Sequence, residues 1–438
     1  MKSESNDIAI FWFRRDLRLN DNAALYFALQ SGFPVLPVFI FDTNILNELQ
    51  DKKDKRVFFI HQQLKQIKSD LEKAGSTLAV LHSTPLLGFE QLCAKYSVKV
   101  VYTNHDYEPY AIKRDNEIRN FLDEKNIPFN SYKDQVIFEK DEILKSDRTP
   151  YTVFTPYANA WKQRFHQEQI KLFNSEKSLF ALFQTEPRPF PSLEEIGFEE
   201  VSLAGMPVVN TNQNFILEYK NTRNFPGEEG TSGISTHLRF GTISIRSVAK
   251  LANSYSETWL NELIWREFFM MILYHFPEVV TENFKKKYDA IKWRNNEHEF
   301  QLWCKGETGY PLIDAGMRQL NETGWMHNRV RMIVAGFLCK HLLIDWRRGE
   351  AYFAEKLLDY ELASNNGNWQ WAAGTGADAA PYFRIFNPHE QIKKFDPDLK
   401  YIKKWIKNFR PGYLPEVVEH KFARKRALEV YKKALEEK

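Results

Sequence analysis

Four short, almost wholly apolar runs mark the first third of the chain, at residues 8–13, 35–41, 78–81 and 98–102. Between and after them lie stretches whose apolar residues recur at helical spacing, at 22–31, 55–74, 86–96 and 110–124. A strand apolar on both faces needs cover on both faces, and helices of this length supply it. The pattern therefore predicts a doubly wound parallel α/β domain over residues 1–134.

Periodicity then weakens. Pro150, Pro156, Pro187, Pro189, Pro191 and Pro207 punctuate a long connector, 135–212, with short helix around 157–164. Beyond Phe240-Gly241 helical spacing dominates, at 244–252, 259–275, 300–305, 312–322, 328–342 and 349–357. A second, almost all-helical domain is expected over 213–438, so the fold class is α/β plus α. Two domains also suit 438 residues, since single cores stop growing at about 250–300 residues.

Composition narrows the function. Aromatic residues make up 15% of the chain, with 11 Trp and 34 Phe, which supplies both core area and flat surfaces for stacking on rings. Three dispersed cysteines, Cys93, Cys304 and Cys339, fit neither a disulfide framework nor a four-ligand zinc site and point to a reducing, cytoplasmic setting. The N-terminal residues lack a signal-peptide pattern and no run is apolar enough to cross a membrane. Net charge is only +3, so a nucleic-acid partner would need a local basic surface. The stretch 391–438 carries 14 basic and 7 acidic side chains, which fits such a surface or a solvated helix face.

The first strand is followed by Arg14-Arg15-Asp16-Leu17-Arg18 and not by a G-x-G-x-x-G turn, so a dinucleotide held there in the usual way is not expected. There is no G-x-S-x-G, H-E-x-x-H or C-x-x-C, which argues against hydrolytic triads and catalytic zinc. Three other features carry candidate chemistry. Glu262, Trp265, Arg266 and Phe269 fall on one helical stripe, either as a surface Glu262–Arg266 pair or as a buried acid beside an indole. Trp325, Asn328, Arg329 and Met332 are expected on one side of another helix, where an amide, a thioether and an indole could meet an unstacked base. Gly230-Thr231-Ser232-Gly233-Ile234-Ser235 is a hydroxyl-rich turn suited to an anion or to turning alone. The segment Asn365-Asn366-Gly367-Asn368-Trp369-Gln370-Trp371 is expected to be a glycine-permissive turn walling a flat aromatic ligand.

Phe11-Trp12-Phe13-Arg14-Arg15-Asp16-Leu17-Arg18, Trp325-Met326-His327-Asn328-Arg329 and the 365–371 segment together resemble the photolyase/cryptochrome flavoproteins, most closely the bacterial class I cyclobutane pyrimidine dimer photolyases. The resemblance runs the length of the chain and implies a light-driven repair enzyme, a carbon–carbon lyase. In it, photoexcited FADH⁻ gives an electron to a pyrimidine dimer flipped out of UV-damaged DNA. It further implies FAD held by Tyr219, Thr231, Ser232, Gly233, Ile234, Ser235, Trp259, Glu262, Arg266, Arg331, Asp359, Glu361 and Asn365, with Asn365 facing flavin N5. By the same resemblance Trp265 and Trp371 wall the lesion, Glu262 and Asn328 hydrogen-bond to it, and Met332 gives an apolar contact. Arg223, Arg329, Arg384 and Gln391 meet the DNA backbone, while Trp369, Trp346 and Trp293 form an electron relay to the surface.

Two positions depart from the family pattern: Glu361 stands where an aspartate is usual, and Gly233 where a larger residue is common. An antenna chromophore of open identity, a monomeric state and a cytoplasmic location complete the expectations. A cryptochrome-like sensor and a (6-4) photoproduct enzyme are the alternatives. Asn365, and Asn328 in place of a second histidine after His327, favour dimer repair.

Overall fold

The computed structural model describes residues 7–436. The chain folds into two compact units, and it enters each more than once. The first unit comprises 1–139, 165–203 and 235–251; the second comprises 140–164, 204–234 and 252–438. The segment 135–212 is thus shared between the units.

In the first unit five parallel strands, β1 (Asp7–Phe13), β2 (Val35–Asp42), β3 (Ala79–Ser83), β4 (Ser97–Asn104) and β5 (Phe129–Tyr132), lie in the order β3-β2-β1-β4-β5. Ile8, Ile10, Trp12, Val38, Ile40 and Val101 form the core of this sheet with Phe89, Leu92, Ile118 and Leu122 from the helices. Strand β5 escapes the apolar-run criterion because its sequence, Phe-Asn-Ser-Tyr, is half polar and lies at the sheet edge, where every side chain stays partly exposed. The helices Lys55–Lys73, Pro85–Lys95 and Pro109–Asp123 match their sequence patterns. The first helix is shorter than its pattern, Ala23–Ala28, with the Asn22 side chain capping it by accepting from Leu25 N–H.

The second unit is helical among the described residues. Its core gathers Trp303, Tyr310, Leu312, Leu320, Val330, Val334, Leu338, Trp346, Phe353 and Trp369. The buried carboxylate of Asp314 is satisfied by the N–H groups of Thr308 and Gly309 and by the hydroxyls of Thr308 and Tyr413.

Three local expectations are overturned. Residues 365–371 are no turn: they lie inside the helix Leu362–Ala373. Gly367 is there because a Cβ at that position would lie 2.1 Å from the Phe269 ring, so the glycine lets this helix settle against Glu257–His275. The pattern at 328–342 is not one α-helix either; Asn328–Gly336 passes into a π-turn, Phe337–His341. Finally, Trp325 precedes that helix and shares no helical face with Asn328, because His327 caps the N-terminus by accepting from Arg329 N–H at 3.1 Å.

Candidate functional site

A cleft of about 100 Å³ opens in the second unit between the helices Asn328–Gly336, Trp346–Lys356 and Leu362–Ala373. Asn328, Arg331, Met332, Asp359, Glu361, Asn365, Trp369 and Trp371, all named from the sequence, line it together. Leu362–Ala373 carries the last three. Asn365 and Trp369 are four residues apart and Trp371 is two further on, so helical geometry presents them at successive angles around one axis. A turn would have scattered them.

Asn365 is fixed by a residue that sequence reading missed. Its amide nitrogen donates to the Glu350 carboxylate at 2.8 Å and to the Glu350 carbonyl at 3.1 Å. With the nitrogen so engaged, the amide's remaining polar atom is an oxygen that can only accept, on a residue that lines the cleft. Burial raises the Glu350 pKa, against the opposing effect of the Asn365 hydrogen bond. Nothing in Trp346-Arg347-Arg348-Gly349-Glu350 shows which residue meets Asn365. Tyr360 and Ser364 also line the cleft and were likewise missed.

Two cations close the acidic rim. Arg331 donates to both Asp359 oxygens, at 2.8 and 3.1 Å, and to Met326 carbonyl at 2.7 Å. Arg266 donates to Glu361 at 2.8 Å, and the Ser364 hydroxyl holds the other Glu361 oxygen at 2.9 Å. The glutamate at 361 thus spends both oxygens on its neighbours.

The expected Glu262–Arg266 surface pair is not formed. Glu262 instead pairs with Arg223 from the helix Gln213–Thr222 and its C-cap, and Arg223 stacks over Tyr219 at 5.5 Å. Burial raises the Glu262 pKa, more than Arg223 and Arg329 lower it. Arg329 donates to Asn224 at 2.7 Å and covers the Phe395 ring at 4.5 Å, so Arg223, Glu262 and Arg329 form one charged group. One face of the half-buried Trp265 is taken by Phe154, stacked at 3.7 Å and 5°.

The hydroxyl-rich turn is held from behind. Trp259 Nε1 donates to the Ser232 hydroxyl at 3.2 Å, and Asn210 N–H to the Ser232 carbonyl at 3.0 Å. Gly233 sits at φ +66°, with Val208 carbonyl oxygen 2.6 Å from where a Cβ would stand; any larger residue here would strain the turn. Thr231 and Ile234 belong to the same turn, and Ser235 begins the helix Ser235–Arg239.

The three tryptophans expected to form a relay belong to or pack on the helical core. Trp369 and Trp346 are buried, whereas Trp293 is half-exposed. Trp346 Nε1 donates to Asn283 at 2.8 Å. Trp369 meets Phe353 at 5.0 Å and Trp303 at 6.1 Å, and fits because Gly349 leaves room for its ring. Arg384 is exposed, and Gln391 is half-buried on the helix Pro388–Phe395.

Known proteins resemble this chain in sequence and fold. Residues 259–427 match the model of the FAD binding domain of DNA photolyase, and residues 9–175 match the DNA photolyase model. The deoxyribodipyrimidine photo-lyase of Synechococcus is 38% identical over 92% of this chain and 88% of its own length. The chain belongs to the DNA photolyase family. Among solved photolyases, a bacterial class III enzyme from Agrobacterium tumefaciens is similar at TM-score 0.86 and 32% identity, covering 100% of this chain and 99% of that one. An archaeal photolyase from Sulfolobus tokodaii with two FAD molecules is similar at TM-score 0.77 and 34% identity, over 98% and 100%. For a photolyase the cofactor is FAD, and the donor set fits one. The cleft offers a fixed amide oxygen, two Arg–carboxylate pairs and indole walls, all suited to a flat, hydrogen-bonding ring system. Among the described residues no helix is long and apolar enough to cross a membrane, and no group of three or more His, Cys, Asp or Glu side chains could hold a metal ion.

Proposed function

We propose that this chain repairs UV-damaged DNA by splitting cyclobutane pyrimidine dimers in the light. One observation carries the reading. A single cleft is lined both by Asp359, Glu361 and Asn365, suited to a flavin, and by Asn328, Met332 and Trp371, suited to an extruded base. Electron donor and lesion would then share one cavity.

Bound and reduced, FAD supplies the electron that opens the cyclobutane ring after excitation. The chain's own residues do the rest. Arg331, Asp359, Arg266, Glu361 and the Thr231–Ser235 turn would hold the cofactor, with Tyr219 and Trp259 behind it. The Asn365 amide, whose nitrogen is held by Glu350, would accept a hydrogen bond from protonated N5 through its oxygen, which favours the reduced form. Trp293, Trp346 and Trp369 would pass electrons inward.

On the DNA side Arg223, Arg329, Arg384 and Gln391 would position the backbone without reading sequence. Trp265 and Trp371 would wall the flipped dimer, whose extrusion costs a few kcal/mol and costs least for a badly stacked lesion. Asn328 would pair with a pyrimidine edge while Met332 packs against it. A phosphate that recruits Arg223 would strip Glu262 of its partner, and burial would then favour the neutral acid, which can donate to a pyrimidine carbonyl.

His327 supports dimer repair over (6-4) repair. It is buried, its Nδ1 is spent on the helix cap while its Nε2 has no hydrogen-bond partner among the described residues, and burial lowers its pKa to about 3, so it stays a neutral imidazole. A second chromophore is part of the proposal, as are a monomeric state and a cytoplasmic location. Illuminating the reduced protein with a dimer-containing oligonucleotide should restore thymines; unchanged dimers would sink the reading. An absorption spectrum before and after heat release would identify any antenna.

A further inference from the structure

Beside the main cleft lies a second, much smaller pocket of about 10 Å³, which shares Met332, Trp371 and Ala372 with it. Its other walls are Gly336, Ala380, Phe386, Arg384 and, unexpectedly, Lys340. Lys340 sits in the π-turn Phe337–His341 and is 2% exposed. Its ammonium donates to the main-chain carbonyl of Arg384 at 3.1 Å. A lysine is almost never buried so fully without a paired acid, and this cavity contributes no carboxylate.

A charge kept at that cost needs a reason. The carbonyl it holds belongs to the residue whose own guanidinium is exposed, in the segment between Ala380 and Phe386 that walls the cavity. We infer that Lys340 is a positioning residue for DNA: its ammonium fixes the Arg384 segment against Trp371, and a phosphate drawn to Arg384 in turn stabilises the ammonium. This rests on the reading that Arg384 meets the DNA backbone.

The electrostatics agree. The groups acting on Lys340 are the Arg384 guanidinium, the Cys339 thiol and the neighbouring imidazole of His341. Burial, opposed by Cys339 and helped by Arg384, lowers the lysine's pKa to about 8. An anion at Arg384 offsets that cation and raises the lysine's pKa, so the complex binds more protons than the free protein. Affinity must therefore fall as pH rises above about 8, by at most tenfold per pH unit for one group. Uptake by Glu262, an acid, belongs to a lower window.

The test measures anisotropy of a dimer-containing oligonucleotide on the holoenzyme from about pH 7 to about pH 9, together with proton uptake by calorimetry in two buffers of different ionisation enthalpy. Wild type should lose affinity across the upper half of this range and take up protons. K340R, always charged, should bind near wild-type strength at pH 7 and lose the slope. K340M should lose the slope and bind several-fold more weakly at every pH. A wild-type profile that is flat, or a K340R profile that keeps the wild-type slope, overturns the inference, whether or not K340M folds. R384A separates the two readings: if it binds like wild type, the DNA reading of Arg384 fails and takes this one with it. If R384A weakens binding while K340R keeps the slope, only the role of Lys340 is lost.

Discussion

The Glu350 carboxylate holds the Asn365 amide nitrogen at 2.8 Å, and so decides which end of that amide faces the cleft. Without it only the Glu350 main-chain carbonyl, at 3.1 Å, still holds the nitrogen, and the amide turns over more readily to present a donor. E350A should leave a buried amide N–H short of a partner, at about 1–3 kcal/mol. It should also lower the flavin's midpoint potential and speed its reoxidation in air. E350Q, which still offers an oxygen, should fall between. Anaerobic redox titration and thermal melts check this; an unchanged potential in E350A would free Asn365 from Glu350's control.

Gly367 and Phe269 make a steric prediction. An alanine at 367 drives its Cβ into the ring, 2.1–2.7 Å from three ring carbons, and overpacking of this kind costs about 1–3 kcal/mol. G367A should lower the melting temperature and the FAD content. Pairing it with F269A should recover part of the FAD content, since the obstacle is then gone. No loss in G367A would mean that the two helices can part freely.

The Arg223–Glu262 pair predicts asymmetric effects. R223A strands a buried carboxylate, whereas E262Q removes the charge that needs a partner. R223A should therefore be destabilised and E262Q/R223A should be rescued. The raised Glu262 pKa makes the carboxylate costly at neutral pH, so its contribution to stability grows as pH falls through the folded pKa. E262Q should flatten that part of the profile. Urea midpoints across acid pH, in all three variants, decide it.

His327 and His341 pull the other way. Burial lowers both pKa values to about 3, so each stays neutral in the fold but charges in the unfolded chain near its usual value of about 6.5. Between those values the unfolded state binds more protons, and stability drops as pH falls. His341 pairs with His420 at 2.9 Å, so H341Q should soften the acid loss where the C-terminal helix His420–Glu436 docks. Melting temperature against pH, wild type beside H341Q, is the measurement.

For the relay, W369F should slow photoreduction of oxidised FAD several-fold while chemically reduced enzyme still repairs. Trp303, 6.1 Å from Trp369, is the control. Equal slowing in W303F would mean that packing around Trp369, and not its place in a relay, sets the rate.

The sequence determined the two halves of the fold, because a strand buried on both faces and an amphipathic helix write different periods, 2 or none against 3.6. It also determined the family, since motifs such as Trp325-Met326-His327-Asn328-Arg329 survive as literal strings. It could not write β5, whose Asn130 and Ser131 break the apolar run at a sheet edge. It misread 365–371 as a turn, because asparagine and glycine have low helix propensity and the gain from packing Gly367 on Phe269 is non-local. It offered Glu262 and Arg266 to each other because they are four apart. The tertiary structure gave Arg223 to one and Glu361 to the other, since a buried charge takes whichever partner desolvates with it. Glu350 behind Asn365 and Lys340 beneath Arg384 belong to the same class: pairings of residues 15 and 44 positions apart, which no local pattern records and only a packed fold creates.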